Sequence, residues 1–398
     1  MEDDLARRVG QTVRGSMPVL DGLRGLAIAM VVVHNAASLQ TAAETPFLKG
    51  VLAVHGLGWV GVQLFFVLSG FLITGILVDT KGAPRFYSAF YARRALRIFP
   101  LYYGLLFAWL VVLPHLSPHV AEVAVPLRNQ GWYWSYLSNW AQPFGKEIGG
   151  LPHFWSLAVE EQFYLVWPLC VVLLSARALG RLSLFMIVAA LLLRIGMRAT
   201  HAPPLTVYMF TFARMDALAM GAVLALVVRD GRLLALVRPR LGRALVASLG
   251  GLAIVAALTK GCNFESALVQ TAGYSLFALL SAVVVLRAAL ETAQGKGRVL
   301  SLFDVRPLRA LGKYSYGLYV FHFPIIALLR HRAEFTMNHG DTLTRMMALV
   351  TFVGVVSVLS MAAAIASYEL VERHCLSLKR FFVARPAPYG APSHSGNG

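Results

Sequence analysis

Residues 347–366 read MALVTFVGVVSVLSMAAAIA, twenty consecutive positions without an ionisable side chain, and 184–193, LFMIVAALLL, is equally dry. An α-helix needs about 20 such residues to cross the hydrocarbon core of a bilayer. Runs of this kind recur near 18–38, 57–78, 98–117, 154–175, 182–200, 205–228, 242–259, 267–290, 311–330 and 345–368. Inside lipid every backbone N–H and C=O must be paired within the protein, which leaves only helices and closed barrels. Barrel strands alternate in polarity over about ten residues, and these runs do not. The expected fold is an all-α integral membrane protein, a bundle of about ten transmembrane helices. Composition agrees. The chain is 58% hydrophobic and 14% charged over 398 residues, whereas a soluble chain is about one quarter charged.

A net charge of +17 would suit nucleic acid if it formed one patch. Here the basic residues lie between the apolar runs, as they do in cytoplasmic loops. With the N-terminus inside, those loops hold roughly 25 of the 36 Lys and Arg residues, against about 8 on the other side. Both termini are therefore expected to be cytoplasmic, with a lipid bilayer and no nucleic acid as partner. Residues 1–17 form a cytoplasmic N-terminal segment, 18–380 one transmembrane domain, and 381–398, rich in Pro, Gly and Ser, a disordered tail. The first run is interrupted by Arg24 and His34 and is long enough to span, so it reads as a retained helix rather than a cleaved signal peptide. Cys170, Cys262 and Cys375 are far apart and lack metal-ligand spacing; no metal is expected. The segment from about 118 to 153, with NQGWYWSYLSNW, reads as an aromatic loop at a membrane interface.

Ionisable residues inside such runs are costly unless paired or facing a wet cavity, and they mark the candidate site. LDGLRGLAIAMVVVHN carries Arg24 and, about 15 Å farther along a helix, His34. His34 reads either as a histidine bonded to a neighbouring helix or as a general base for a hydroxyl. GVQLFFVLSGFLIT places Ser69 among close-packing small residues. FYARRALRIFPLYY sets Arg93, Arg94 and Arg97 at the inner mouth of the third run, either as anchors or as a guanidinium fork for phosphate. HFWSLAVEEQFYLVWP opens the fourth run from the outer side with His153, Glu160 and Glu161. At least one carboxylate must face the interior, and Glu160 is the one expected there. Arg214 and Asp216, two apart and so on different faces, each require a partner on another helix. KYSYGLYVFHFP lines one face of the ninth run with Tyr316, Tyr319 and His322.

These segments, in this order and with RMDALAMGAVLAL and a terminal YELVER, resemble the acyltransferase-3 family of membrane-bound acyltransferases over about residues 18–380. The resemblance implies an O-acyltransferase in the bacterial inner membrane. It would move an acyl group, commonly acetyl, from cytoplasmic acyl-CoA to a hydroxyl of a carbohydrate or glycolipid. No cofactor is bound permanently, and acyl-CoA is a co-substrate. The resemblance also implies that His34, Arg24 and Glu160 are catalytic and that Arg94 and Arg97 form the family's R-x-x-R motif. Arg93 joins them in holding acyl-CoA, and Ser69, Trp155, Tyr319 and His322 line the substrate path. Nine residues separate Arg24 from His34 where the family usually has ten. On a regular helix ten steps leave the two about 80° apart, so either the helix is irregular or the two residues act on different parts of the donor. The family's frequent E-x-P near the last span is replaced by Glu372-Arg373-His374. The tail after about 380 is short, so any acceptor is expected to be held by the bundle and its outer loops. The alternatives are transfer to a sugar-bearing small molecule, or a carrier of a lipid-linked or phosphorylated solute.

Overall fold

The computed structural model describes residues 2–14, 17–37, 56–116, 125–146, 150–295, 300–339 and 341–383. Among them every regular element is helical, and nine helical stretches are long and apolar enough to cross a membrane. The chain is a multi-pass membrane protein. The main helices are α1 (Glu2–Arg14), α2 (Pro18–Ala37), α3 (Val60–Thr80), α4 (Phe86–Phe107), α5 (Leu127–Trp134), α6 (Phe154–Leu173), α7 (Ala176–Ala199), α8 (Pro204–Met209) and α9 (Thr211–Val227). They continue with α10 (Gly231–Val237), α11 (Leu241–Thr259), α12 (Tyr274–Gln294), α13 (Arg306–Lys313), α14 (Ser315–His339) and α15 (Thr342–Ser367).

The ninth expected run, 311–330, falls on α14, which is not among the nine. Tyr316, Tyr319, His322 and Arg330 dilute its apolar character. The third span begins at Phe86, not near 98, and continues through a π-helical turn, Ala108–Val112, to Leu116. Arg93, Arg94 and Arg97 therefore lie within its first turns rather than before it. Residues 1–17 include α1, an amphipathic helix whose Leu5, Ala6 and Val9 are buried. Most of the expected disordered tail, from 384 onward, lies outside the described residues.

Helix α3 is the hub. In its most apolar stretch 72% is buried, against 22% for α7, which faces outward. Lipid is as apolar as leucine, so helices in a bilayer associate by close packing rather than by hydrophobic exclusion. Gly70 of α3 and Gly221 of α9 supply that contact. A Cβ on Gly70 would collide with the carbonyl oxygen of Leu218, and one on Gly221 with that of Val67. Arg194 of α7 reaches Asp216 of α9 at 2.9 Å, both essentially fully buried, and also donates to Ala213 O at 2.6 Å and Ser275 Oγ at 2.7 Å. Arg214 instead donates to Gln63 Oε1 on α3 at 2.9 Å. It sits over the rings of Tyr274 (4.2 Å) and Tyr208 (5.0 Å). Both residues thus find partners on other helices, as their two-residue spacing requires.

Overpacking a tight contact costs about 1–3 kcal/mol. Gly221→Val is expected to lower the thermal midpoint of the detergent-solubilised protein by several degrees. Gly104→Ala, in α4 with open space around it, should leave the midpoint unchanged or raise it slightly.

Candidate active site

The sixth span is broken. Helix α8 ends at Met209, Phe210 is extended (φ −67°, ψ 127°), and α9 resumes at Thr211. A break within a span is tolerated only where side chains satisfy the freed backbone groups. Asn139 does so, donating to Met209 O at 3.3 Å and to Thr211 Oγ1 at 2.7 Å. Gln162 of α6 ties the assembly together, donating to Asn139 Oδ1 at 2.9 Å and to Tyr136 O at 2.8 Å, and accepting from Thr211 at 2.5 Å. The aromatic segment expected as an interfacial loop is partly helical (α5) and packs inward. Tyr133 and Tyr136 are buried, and Tyr136 stacks on Tyr102 of α4 at 4.0 Å. Burial raises the pKa of both hydroxyls, which keeps them neutral. The segment packs against α4, whose Tyr102 and Tyr103 present an aromatic face to it.

Two cavities flank α3. The first, about 230 Å³, is charged: Arg24 of α2, Arg94 and Arg97 of α4, and Glu160 and Glu161 of α6 all line it, with Ser69 on α3. Both carboxylates face inward, not Glu160 alone. Tyr164, one turn after Glu160, donates to Glu160 Oε2 at 3.1 Å and receives the Ser69 hydroxyl. Arg94 lies 5.4 Å from the centre of the Tyr164 ring. Arg24 has only Asp21 at 4.0 Å, and Arg97 has no hydrogen bond or ion pair among the described residues. Three guanidiniums and two carboxylates thus face one cavity, and donors of Arg24 and Arg97 remain open to a ligand. Arg93 is exposed, points away from the cavity and approaches Phe382 O at 3.5 Å. It does not belong with Arg94 and Arg97.

The second cavity, about 120 Å³, is aromatic. His34 lines it with Trp59, Trp155, Tyr208, Phe264 and Phe323, and the His34 ring meets Phe264 edge to face, 6.4 Å between centres. Gly58 makes room for it, since a Cβ there would strike the His34 Cβ. Helix α2 is continuous from Pro18 to Ala37, so nothing turns Arg24 and His34 onto one face. They line different cavities, as the spacing predicts for a regular helix.

The cavities share two lining residues, Val62 and Tyr319. The Tyr319 hydroxyl donates to His153 O at 2.7 Å and pairs with Ser156 Oγ at 2.5 Å. His322 lines neither cavity. It is buried, its Nδ1 bonded to Tyr319 O at 2.7 Å, which leaves Nε2 to accept from the Asn35 amide at 3.1 Å. Asn35 follows His34, so His322 positions the end of α2 rather than touching a ligand. Sequence reasoning gave no role to Asn35, Gln162, Asn139 or His153. His153 lines the aromatic cavity, its Nε2 faces Val320 O at 3.4 Å, and its buried Nδ1 has no partner among the described residues. The sequence singles out His153 at the opening of the fourth run but does not show which cavity it lines.

Two adjoining cavities in a helical membrane bundle, one lined by Arg24, Arg94 and Arg97 and the other by His34 among aromatic rings, form the candidate site of a membrane enzyme. The family follows from comparison. Residues 17–368 match the profile described as an acyltransferase domain, and the chain belongs to this acyltransferase-3 family. It is 31% identical over 349 residues to the peptidoglycan O-acetyltransferase OatA of Listeria monocytogenes, covering 83% of this chain and 52% of that protein. It is 30% identical over 330 residues to the putative peptidoglycan O-acetyltransferase YrhL of Bacillus subtilis (78% and 49%). It is 27% identical over 332 residues to the O-acetyltransferase OatA of Staphylococcus aureus (79% and 51%). The chain thus spans about half the length of these relatives. No solved structure matches it. The terminal motif with Glu372 falls just past the matched range, on a π-helical turn where Glu372 accepts from Ser367 at 3.2 Å.

Removing the Asn139 amide strands backbone and hydroxyl groups at the α8–α9 break, at a cost of about 1–3 kcal/mol. Asn139→Ala should therefore lower the thermal midpoint measurably, while Tyr164→Phe, which keeps the ring over Arg94, should leave it within about 2 °C of wild type.

Proposed function

We propose that the protein is an O-acyltransferase moving an acyl group, acetyl in the first instance, from cytoplasmic acyl-CoA to a hydroxyl of a cell-envelope carbohydrate. Peptidoglycan, the acceptor named for the relatives, is the leading acceptor. The observation that carries this reading is the division of labour between adjoining cavities. Arg24, Arg94 and Arg97 line one, His34 the other, and Val62 and Tyr319 stand between them.

In this scheme the CoA phosphates meet Arg94 and Arg97, with Arg24 as the third cation, and the pantetheine arm carries the thioester towards the Val62–Tyr319 wall. The acceptor sugar enters the aromatic cavity, whose rings offer apolar faces for stacking, and the free His153 Nδ1 accepts one of its hydroxyls. His34 takes the proton of the reacting hydroxyl as that oxygen attacks the thioester carbonyl carbon. The tetrahedral intermediate collapses by expelling the CoA thiolate, which takes up a proton, and the ester leaves. Glu160, bridged through Tyr164 to Ser69, fixes the polar wall of the donor cavity. The Lys- and Arg-rich loops support a cytoplasmic location for this end and for both termini, and the scheme sets the protein in the inner membrane.

A positioned general base contributes about 10²–10⁴-fold to rate. For purified protein in detergent, with acetyl-CoA and a soluble peptidoglycan fragment, His34→Ala should lower ester formation at least about 100-fold. Thiol release and mass spectrometry of the fragment report the two products. Arg94→Gln with Arg97→Gln should raise KM for acetyl-CoA roughly tenfold or more while changing kcat less. A folded His34→Ala protein that transfers at the wild-type rate overturns the scheme.

A further inference from the structure

A third cavity, about 850 Å³, shares no lining residue with the other two. It is a groove between the end of α3, the start of α7 and the end of α9 with α10. One part of its wall is apolar, including Leu184, Val223 and Leu226, and its rim carries Lys81, Arg177, Arg181 and Arg229 against only Asp79 and Asp230. Both carboxylates are already engaged. Asp79 grips Arg229 through two contacts of 2.8 Å, and Asp230 caps α10, accepting from the backbone N–H groups of Arg232 and Leu233 at 2.9 and 3.1 Å. Arg229 is used up as well, with its Nη1 donating to Ala225 O at 2.9 Å. Lys81 donates to Leu174 O at 2.8 Å and keeps two protons free. Arg177 and Arg181, one turn apart on α7, are exposed and have no hydrogen bond or ion pair among the described residues.

The rim sits where α3, α6 and α9 end and α7 begins, the level of lipid headgroups for helices that cross a bilayer. The apolar wall runs onto the outer face of α7, where Leu184, Phe185, Val188 and Leu192 are all more than half exposed. Gly180, between Arg177 and Arg181, leaves the floor without a side chain. We infer that this groove binds an anionic phospholipid, with its phosphodiester held by Arg177, Arg181 and Lys81 and its acyl chains lying along Leu184 and Val223. A free phosphate ion would use the rim and leave the apolar wall empty. A zwitterionic lipid would bring its own ammonium up against uncompensated guanidiniums. Both chemical halves of the groove are satisfied only by a lipid with net negative charge.

The test uses the full chain, purified and delipidated in detergent, then titrated with dioleoylphosphatidylglycerol or dioleoylphosphatidylcholine. Native mass spectrometry reads retained lipid and a thermal scan reads stabilisation. One phosphatidylglycerol should be retained and the midpoint raised, with phosphatidylcholine at least tenfold weaker. Loss of two charge-assisted contacts should weaken retention by the Arg177→Gln/Arg181→Gln protein roughly tenfold or more. Both residues are exposed, so the fold should survive. Gly180→Leu keeps every charge but fills the groove floor, and should reduce retention as well. Equal retention of the two lipids, or retention unchanged in the double variant, overturns the inference. So does displacement of the lipid by millimolar inorganic phosphate alone, since the acyl chains would then contribute nothing.

Discussion

The close approach of α3 to its neighbours is the contact on which the rest of the molecule depends. In a bilayer the helices gain nothing from excluding lipid, so the bundle is held by how near its backbones can come. Gly70 against Leu218 and Gly221 against Val67 bring α3 and α9 together without intervening side chains. That places α3 where it can supply a wall to both cavities: Ser69 to the charged one, Val62 to each. Were α3 displaced by the width of a side chain, Ser69 would no longer reach Tyr164, and Gln63 would no longer reach Arg214.

Buried charge in this protein falls into two kinds that the sequence presents alike. Arg194 and Asp216 form a closed pair whose hydrogen bonds all go to the protein. Such a pair is expensive to break from one side and is a structural strut. Arg24, Arg94 and Arg97 converge on a cavity with two carboxylates and a tyrosine hydroxyl between them. The difference lies in whether the cation meets a carboxylate at contact distance, as Arg194 meets Asp216 at 2.9 Å, or faces a cavity. The second group, and the rim of the outer groove, are therefore the places where we propose that an anion binds.

Much of the site was legible in the primary structure, because an ionisable residue in an apolar run has few reasons to be there. Arg24, His34, Arg94, Arg97 and Glu160 all announce themselves in this way. The order of seven motifs points to the family that the profile match then shows. What was misplaced has a common cause. Arg93 shares the cationic run with Arg94 but points the other way, since neighbours on a helix lie about 100° apart. Glu161 faces the cavity beside Glu160, and His322 turns its ring nitrogens to Tyr319 O and Asn35, one layer behind the cavities. The aromatic segment is partly helical and packs inward, because Tyr102 offers Tyr136 a stacking partner that composition cannot reveal.

The sequence by itself determined the class: long apolar runs leave helices as the only economical way to pair the backbone in lipid. It also set the ten-step spacing that puts Arg24 and His34 on different faces of a regular helix, and the structure shows that α2 is unbroken. Tertiary structure decided what each face meets. It separated the arginines from the histidine into two cavities divided by Val62 and Tyr319, and broke the sixth span at Phe210. It also gathered Arg177, Arg181 and Lys81 around one groove. These outcomes depend on contacts between residues far apart in the chain, and a periodicity read along one helix says nothing about which helix it will face.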